Sequence, residues 1–170
     1  MSDVDDTLRR LRREPMVDPE AWPLNLEGRT ELLDDILPHR DPMLLVDELV
    51  GWDADEELIV GRRHIDDDHI GLQGHFPGHP VVPGTLLLEM LGQVGVVLFA
   101  LLLDDEIEGA FDVRATKIGG AHFVREVEPG ADVDLLVRAG DYDTFLGNCE
   151  AQAIVGGRVV CAMLGEVMVA

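Results

Sequence analysis

Apolar positions along this chain follow two patterns, and each predicts one kind of element. From residue 86 to residue 103 nearly every position is apolar, and the one charge is Glu89. A run of that length exceeds a typical strand, and its continuity predicts a helix covered on all sides. Elsewhere the pattern reads as strand. Residues 43–50 and 58–65 flank the turn sequence Asp53-Ala54-Asp55-Glu56 and predict a strand pair. Residues 111–127 predict one long strand interrupted near Gly119-Gly120, and 133–139, 144–155 and 159–169 predict three more. The last two are separated by Gly156-Gly157, a tight-hairpin signal. One buried helix and several antiparallel strands satisfy each other only if the sheet curls around the helix, which is an α+β arrangement. A helix apolar all round needs more cover than one small sheet supplies, so a second copy of the chain is expected.

The amino end has a different character. In residues 1–29, Arg9, Arg10, Arg12 and Arg13 surround Leu8 and Leu11 in a short basic helix, and Pro15, Pro19 and Pro23 then break regular structure. This predicts a peripheral extension, loosely held, with a docking element for an acidic partner or a neighbouring subunit as the alternative. Residues 30–170 read as a single domain. It opens with a short amphipathic helix over 30–37, capped by Thr30, carrying Leu32, Leu33 and Ile36, and stopped by Pro38.

Composition narrows the function. The formal charge is −21, from 34 acidic against 13 basic residues, which makes nucleic acid and anionic membranes poor partners. Lys117 is the single lysine, and a lysine-poor acidic surface fits adaptation to high salt, where repulsion is screened. The acidic residues 1–6 do not resemble a secretory signal, so a cytoplasmic location is expected. Glu89, Gly92, Gln93 and Gly95 argue for a core helix over a membrane span. Cys149 and Cys161 are too few for a disulfide framework and are expected as buried thiols.

Ahead of the apolar run stands Gly74-His75-Phe76-Pro77-Gly78-His79-Pro80-Val81-Val82-Pro83-Gly84-Thr85, a loop stiffened by prolines and turned by glycines. A rigid loop with two histidines then leads into a helix whose one carboxylate lies about one turn in. A carboxylate kept in apolar surroundings is hard to ionise and suits a proton donor. His75 and His79 are spaced like helical metal ligands, but Pro77 and Gly78 forbid a helix there. His64, His69 and Asp66-Asp67-Asp68 make no recognisable ligand pattern, so no metal site is expected. Read alone, a histidine such as His75 is more often structural than catalytic, and only the loop and the partnership with Glu89 lift it; Glu89 alone could be half of a buried ion pair with an arginine.

These residues resemble the FabZ-type β-hydroxyacyl–acyl carrier protein dehydratases of the hotdog fold. The resemblance rests on Leu37-Pro38-His39-Arg40-Asp41-Pro42-Met43-Leu44-Leu45-Val46-Asp47, on residues 74–93, and on Ala121-His122-Phe123-Val124-Arg125-Glu126-Val127-Glu128-Pro129-Gly130. It implies a curled antiparallel sheet around one long central helix, with His75 and Glu89 as the catalytic pair. It also implies a homodimer in which His75 of one chain faces Glu89 of the other, with a trimer of dimers as a larger form. The implied substrate is an acyl carrier protein-linked 3-hydroxyacyl thioester in fatty acid or related polyketide synthesis, and no cofactor is implied. Asp41 stands where the family usually has an aromatic residue, Gly119 for Asp, His122 for Arg or Lys, and Glu126 for Pro.

The implied reaction suits these side chains. A neutral imidazole can take the weakly acidic C2 proton near neutral pH, while Glu89 protonates the departing hydroxyl. Gly84, at the start of the helix, offers its backbone N–H to the thioester carbonyl. Gln93, four residues after Glu89, lies on the same helix face and can orient it. Phe76 and Val81 complete the candidate substrate contacts, and apolar residues along the helix would line an acyl tunnel. Two alternatives stand beside this reading: a hotdog thioesterase, and a non-catalytic acyl-binding subunit of a synthase.

Overall fold

A computed structural model describes residues 3–18, 21–22, 32–103 and 113–169. The elements are α1 (Asp3–Leu11), α2 (Leu32–Ile36), β1 (Glu48–Asp53), β2 (Leu58–His64), α3 (Gly84–Leu103), β3 (Val113–Phe123), β4 (Asp132–Tyr142), β5 (Leu146–Val155) and β6 (Arg158–Val169). All strand pairs are antiparallel, in the order β1-β2-β4-β5-β6-β3. The sheet curls around α3, which is the hotdog fold.

Local chemistry explains the turns. Between β1 and β2, Asp53 Oδ1 accepts the N–H groups of Asp55 and Glu56, both at 3.0 Å. Gly156 and Gly157 carry φ of +55° and +73°, so both central residues of the β5–β6 hairpin sit where only glycine is unstrained. The expected interruption of β3 is also present: its register against β6 slips between Ala115 and Lys117 and again between Ile118 and Gly120. The Thr30 cap and the segment after Leu103 lie outside the described residues.

One strand expectation is corrected. Residues 43–47 were expected in the first strand, but β1 begins at Glu48. The reason is a side chain: Gln93 Oε1 accepts from Leu45 N at 2.9 Å and Gln93 Nε2 donates to the Met43 carbonyl at 2.8 Å. Two groups available to a strand ladder are thereby spent on the central helix.

The main core lies between α3 and the concave face of the sheet. Met90, Leu91, Val94, Val97, Leu98 and Phe99 are fully buried, opposite Leu135 and Val137 of β4 and Ala151 and Ala153 of β5. At about 1.5–3 kcal/mol for each large side chain, this face anchors the fold. Although α3 is long and apolar enough to cross a membrane by composition, it is the core helix. Cover is nevertheless incomplete in the single chain. Thr85 is exposed, and Leu88, Glu89, Gly92 and Val96 are partly exposed, forming a stripe at helical spacing. The helix expected to be buried on all sides is therefore buried on most of them, because the sheet stands away from this stripe.

The amino-terminal expectation is corrected more sharply. Residues 3–18 are peripheral but not loosely held, since Leu8 and Leu11 are 3% and 1% exposed. They close a second cluster on the outer face of the sheet, where Leu11 packs with Leu58, Val60, Leu136, Ile154, Val159 and Ala162. Gln152, buried in β5, donates to the carbonyls of Leu11 and Glu14 and accepts from Met16 N. Arg10 adds a two-bond contact to Glu150 at 2.7 and 2.9 Å. The approach depends on Gly120, where an added Cβ would stand 2.5 Å from Leu8 Cδ1. Gly120→Val is expected to lift α1, costing about 1–3 kcal/mol, and to accelerate trypsin cutting after Arg12 and Arg13. Unchanged cutting rates would rule out this account of the docking.

Candidate active site

The rigid loop places His75 immediately ahead of α3. Its amide donates to Leu72 O, while Val81 N returns to His75 O at 2.9 Å. The ring Nδ1 lies 2.9 Å from the Val81 carbonyl, which can only accept, so Nδ1 carries the proton and Nε2 of the neutral ring keeps its lone pair. Phe76 stacks on the imidazole with centroids 4.1 Å apart. His79 faces outward, with Nε2 3.1 Å from Glu126 Oε2.

A cavity of about 480 Å³ opens here, lined by His75, Phe76, Val81, Gly84, Thr85 and Phe123 among others. Gly84 begins α3, so its N–H belongs to the first turn, whose donors have no intrahelical acceptor. The space beside its Cα is taken by Phe123: an added Cβ would meet that ring at 2.6 Å. The side of Gly84 that lacks a side chain is thus occupied by an aromatic ring that is itself 55% exposed.

Glu89 points elsewhere. It lines a second cavity of about 240 Å³ between α3 and the sheet, with Leu88, Gly92, Ile118, Cys149 and Met163. A Cβ at Gly92 would meet no atom within 4 Å, so the glycine helps keep this space open. The carboxylate is 38% exposed in the single chain, not buried as expected. What holds it is polar: Gln93 Nε2 donates to Glu89 Oε1 at 2.9 Å, and His39 Nε2 lies 3.5 Å from the same oxygen. Gln93 is 1% exposed and bonded through both amide atoms. Burial raises the Cys149 thiol to about 11, so the sulfur in this cavity is an inert apolar surface.

His75 and Glu89 therefore line separate cavities within one chain, and Thr85 lines both. Phe76, Val81 and Gly84 gather with His75, whereas Gln93 stays with Glu89. Sequence reasoning gave no role to His39, Thr85 or Phe123. His39 had a signal in the Leu37-Pro38-His39-Arg40 motif, and its Nδ1 is a buried atom with no hydrogen-bond partner.

Residues 37–163 match the FabA-like domain family. The chain belongs to this family. Among FabA-like relatives it is 39% identical over 124 residues to the 3-hydroxyacyl-[acyl-carrier-protein] dehydratase FabZ of Geobacter metallireducens, covering 73% of this chain and 81% of the relative. It is 37% identical over 129 residues to FabZ of Latilactobacillus sakei, covering 74% and 87%. The family extends to the fold. The dehydratase heterocomplex ApeI:P from Xenorhabdus doucetiae superposes with a TM-score of 0.65 at 19% identity, over 81% of this chain and 90% of that one. A mutant thioesterase from Pseudomonas aeruginosa gives 0.64 at 15% identity, over 83% and 93%. Dehydratase and thioesterase sharing one scaffold at such low identity shows the hotdog fold and leaves chemistry to the site.

Proposed function

We propose that this FabA-like protein catalyses reversible dehydration of (3R)-3-hydroxyacyl thioesters carried by acyl carrier protein, giving trans-2-enoyl thioesters for fatty acid synthesis. The observation that carries the reading is an imidazole whose tautomer leaves Nε2 free and a carboxylate held by Gln93, each lining a cavity that has Thr85 in its wall. The lone pair of His75 Nε2 takes the proton from C2, and the electron pair of the broken C2–H bond forms the C2–C3 double bond. The C3–O bond breaks as Glu89 delivers a proton, and water leaves. The Gly84 N–H and the amino end of α3 stabilise charge on the thioester oxygen. The cavity along Leu88, Gly92 and Met163 takes the acyl chain.

The reading places the working site between two copies, His75 of one meeting Glu89 of the other. Three features support this: the two side chains line separate cavities in one chain, the α3 stripe is uncovered, and β3 is an edge strand exposing Ile118 and Phe123. A trimer of such dimers is the larger form that fits the resemblance.

The test follows enoyl-thioester absorbance while purified protein acts on a crotonyl thioester, with free thiol measured in parallel. Loss of the enoyl band without thiol release is expected. Thiol release at the same rate would make the protein a thioesterase, and neither signal would leave a non-catalytic subunit.

A further inference from the structure

The chain is strongly acidic, yet a few cationic groups meet at one place. At the end of α1, Arg12 Nη1 lies 3.3 Å from His122 Nδ1. A guanidinium only donates, so the His122 nitrogen accepts, and the bond ties the N-terminal segment to the end of β3. Arg12, Arg13, His122, Phe123 and Val124 line a hollow of about 410 Å³, with no acidic residue among the described residues of its wall. Phe123 and Val124 also line the His75 cavity, as does Arg125, so the hollow adjoins that cavity's mouth. The acid on this rim, Glu126, is engaged by His79.

The arginines of α1 divide by task. Arg9 pairs with Asp6 and Arg10 with Glu150, both serving the helix and its seat. Arg12 and Arg13 remain exposed beside the mouth. α1 sits on the outer face of the sheet, away from the uncovered α3 stripe.

We propose that Arg12 and Arg13 of the N-terminal extension, with Arg125 across the rim, receive the acidic surface of the acyl carrier protein that presents its thioester to His75. The inference rests on the dehydratase reading. A chain of charge −21 repels an acidic partner over most of its surface. Local positive charge at the mouth both permits docking and orients it, since rim charges act on encounter and specificity more than on the chemical step.

The test compares wild type with Arg12→Gln/Arg13→Gln and Arg12→Glu/Arg13→Glu at low salt. One crotonyl group is presented on acyl carrier protein, on coenzyme A and on N-acetylcysteamine. For the carrier-linked substrate, KM is expected to rise about five- to tenfold in the neutralised variant and further in the reversed one, with kcat unchanged. KM for N-acetylcysteamine stays constant, and the coenzyme A value moves far less than the carrier value. An unchanged carrier KM in both variants overturns the proposal. So does an equal rise for coenzyme A, which assigns the patch to the thioester's phosphates. If wild type hydrates none of the three at low salt or in molar salt, the dehydratase reading has failed, and fluorescence-anisotropy titration with labelled acyl carrier protein judges the docking separately. Binding lost on charge reversal sustains it, and binding unchanged refutes it.

Discussion

His75→Ala is expected to lower the hydration rate about a thousandfold, and Glu89→Gln by a similar factor, since each removes a proton-transfer group worth roughly 10²–10⁴ in rate. Neither change should unfold the protein. His75 loses one bond to Val81 O, and Gln at 89 can still accept from Gln93 Nε2. The decisive form of the experiment mixes the two inactive variants. If the site is shared, a mixed dimer holds one doubly damaged site and one intact site. Random pairing makes half the dimers mixed, and half their sites intact, so about a quarter of wild-type activity returns. Recovery near zero after subunit exchange, with mixed dimers confirmed by mass, would place both residues in the same chain's site and refute the shared arrangement.

Gln93→Leu is expected to cost about 3 kcal/mol, the largest stability effect among the site residues. The leucine is similar in size, so the loss is polar. Leu45 N–H and the Met43 carbonyl would lose partners 2.9 and 2.8 Å away in a region where Gln93 is 1% exposed. An unsatisfied buried group costs about 1–3 kcal/mol; the Leu45 N–H is buried and the Met43 carbonyl, which also loses its partner, is partly buried. Glu89 is released by the same change, so kcat should fall along with the urea midpoint. A midpoint within error of wild type would mean that water or a backbone shift replaces the amide, and that Gln93 does not organise this corner.

Periodicity was a good guide wherever one face of an element met one environment. The long apolar run became α3, Gly84–Leu103, starting two residues earlier than the run itself. Strand 58–65 became Leu58–His64, and the Gly156-Gly157 hairpin formed where expected. It failed at residues 43–47, which carry a strand-like pattern but commit Leu45 N and the Met43 carbonyl to Gln93, with Met43 N and Leu44 N turned back to Arg40 O. Side-chain capture of a backbone leaves no trace in hydrophobic spacing. At α1 it gave the helix around Leu8 and Leu11 but not its seat, which is made by a missing side chain at Gly120 and a buried amide at Gln152. Both are more than a hundred residues from the helix they hold.

The chain's order of residues by itself determined the hotdog class and the stiff loop before α3, and it nominates His75 and Glu89 for the proton transfers proposed above. These are local properties: ring closure in proline, absent Cβ in glycine, and the spacing of apolar groups act within a few residues. Tertiary structure decided how far Glu89 is exposed, that His39 stands beside it, and that Phe123 fills the space at Gly84. It also brought Arg12 and Arg13 to the mouth of the His75 cavity. Such facts depend on how far a curved sheet reaches around a helix, and on contacts between segments far apart in sequence. Only the closed sheet sets those distances.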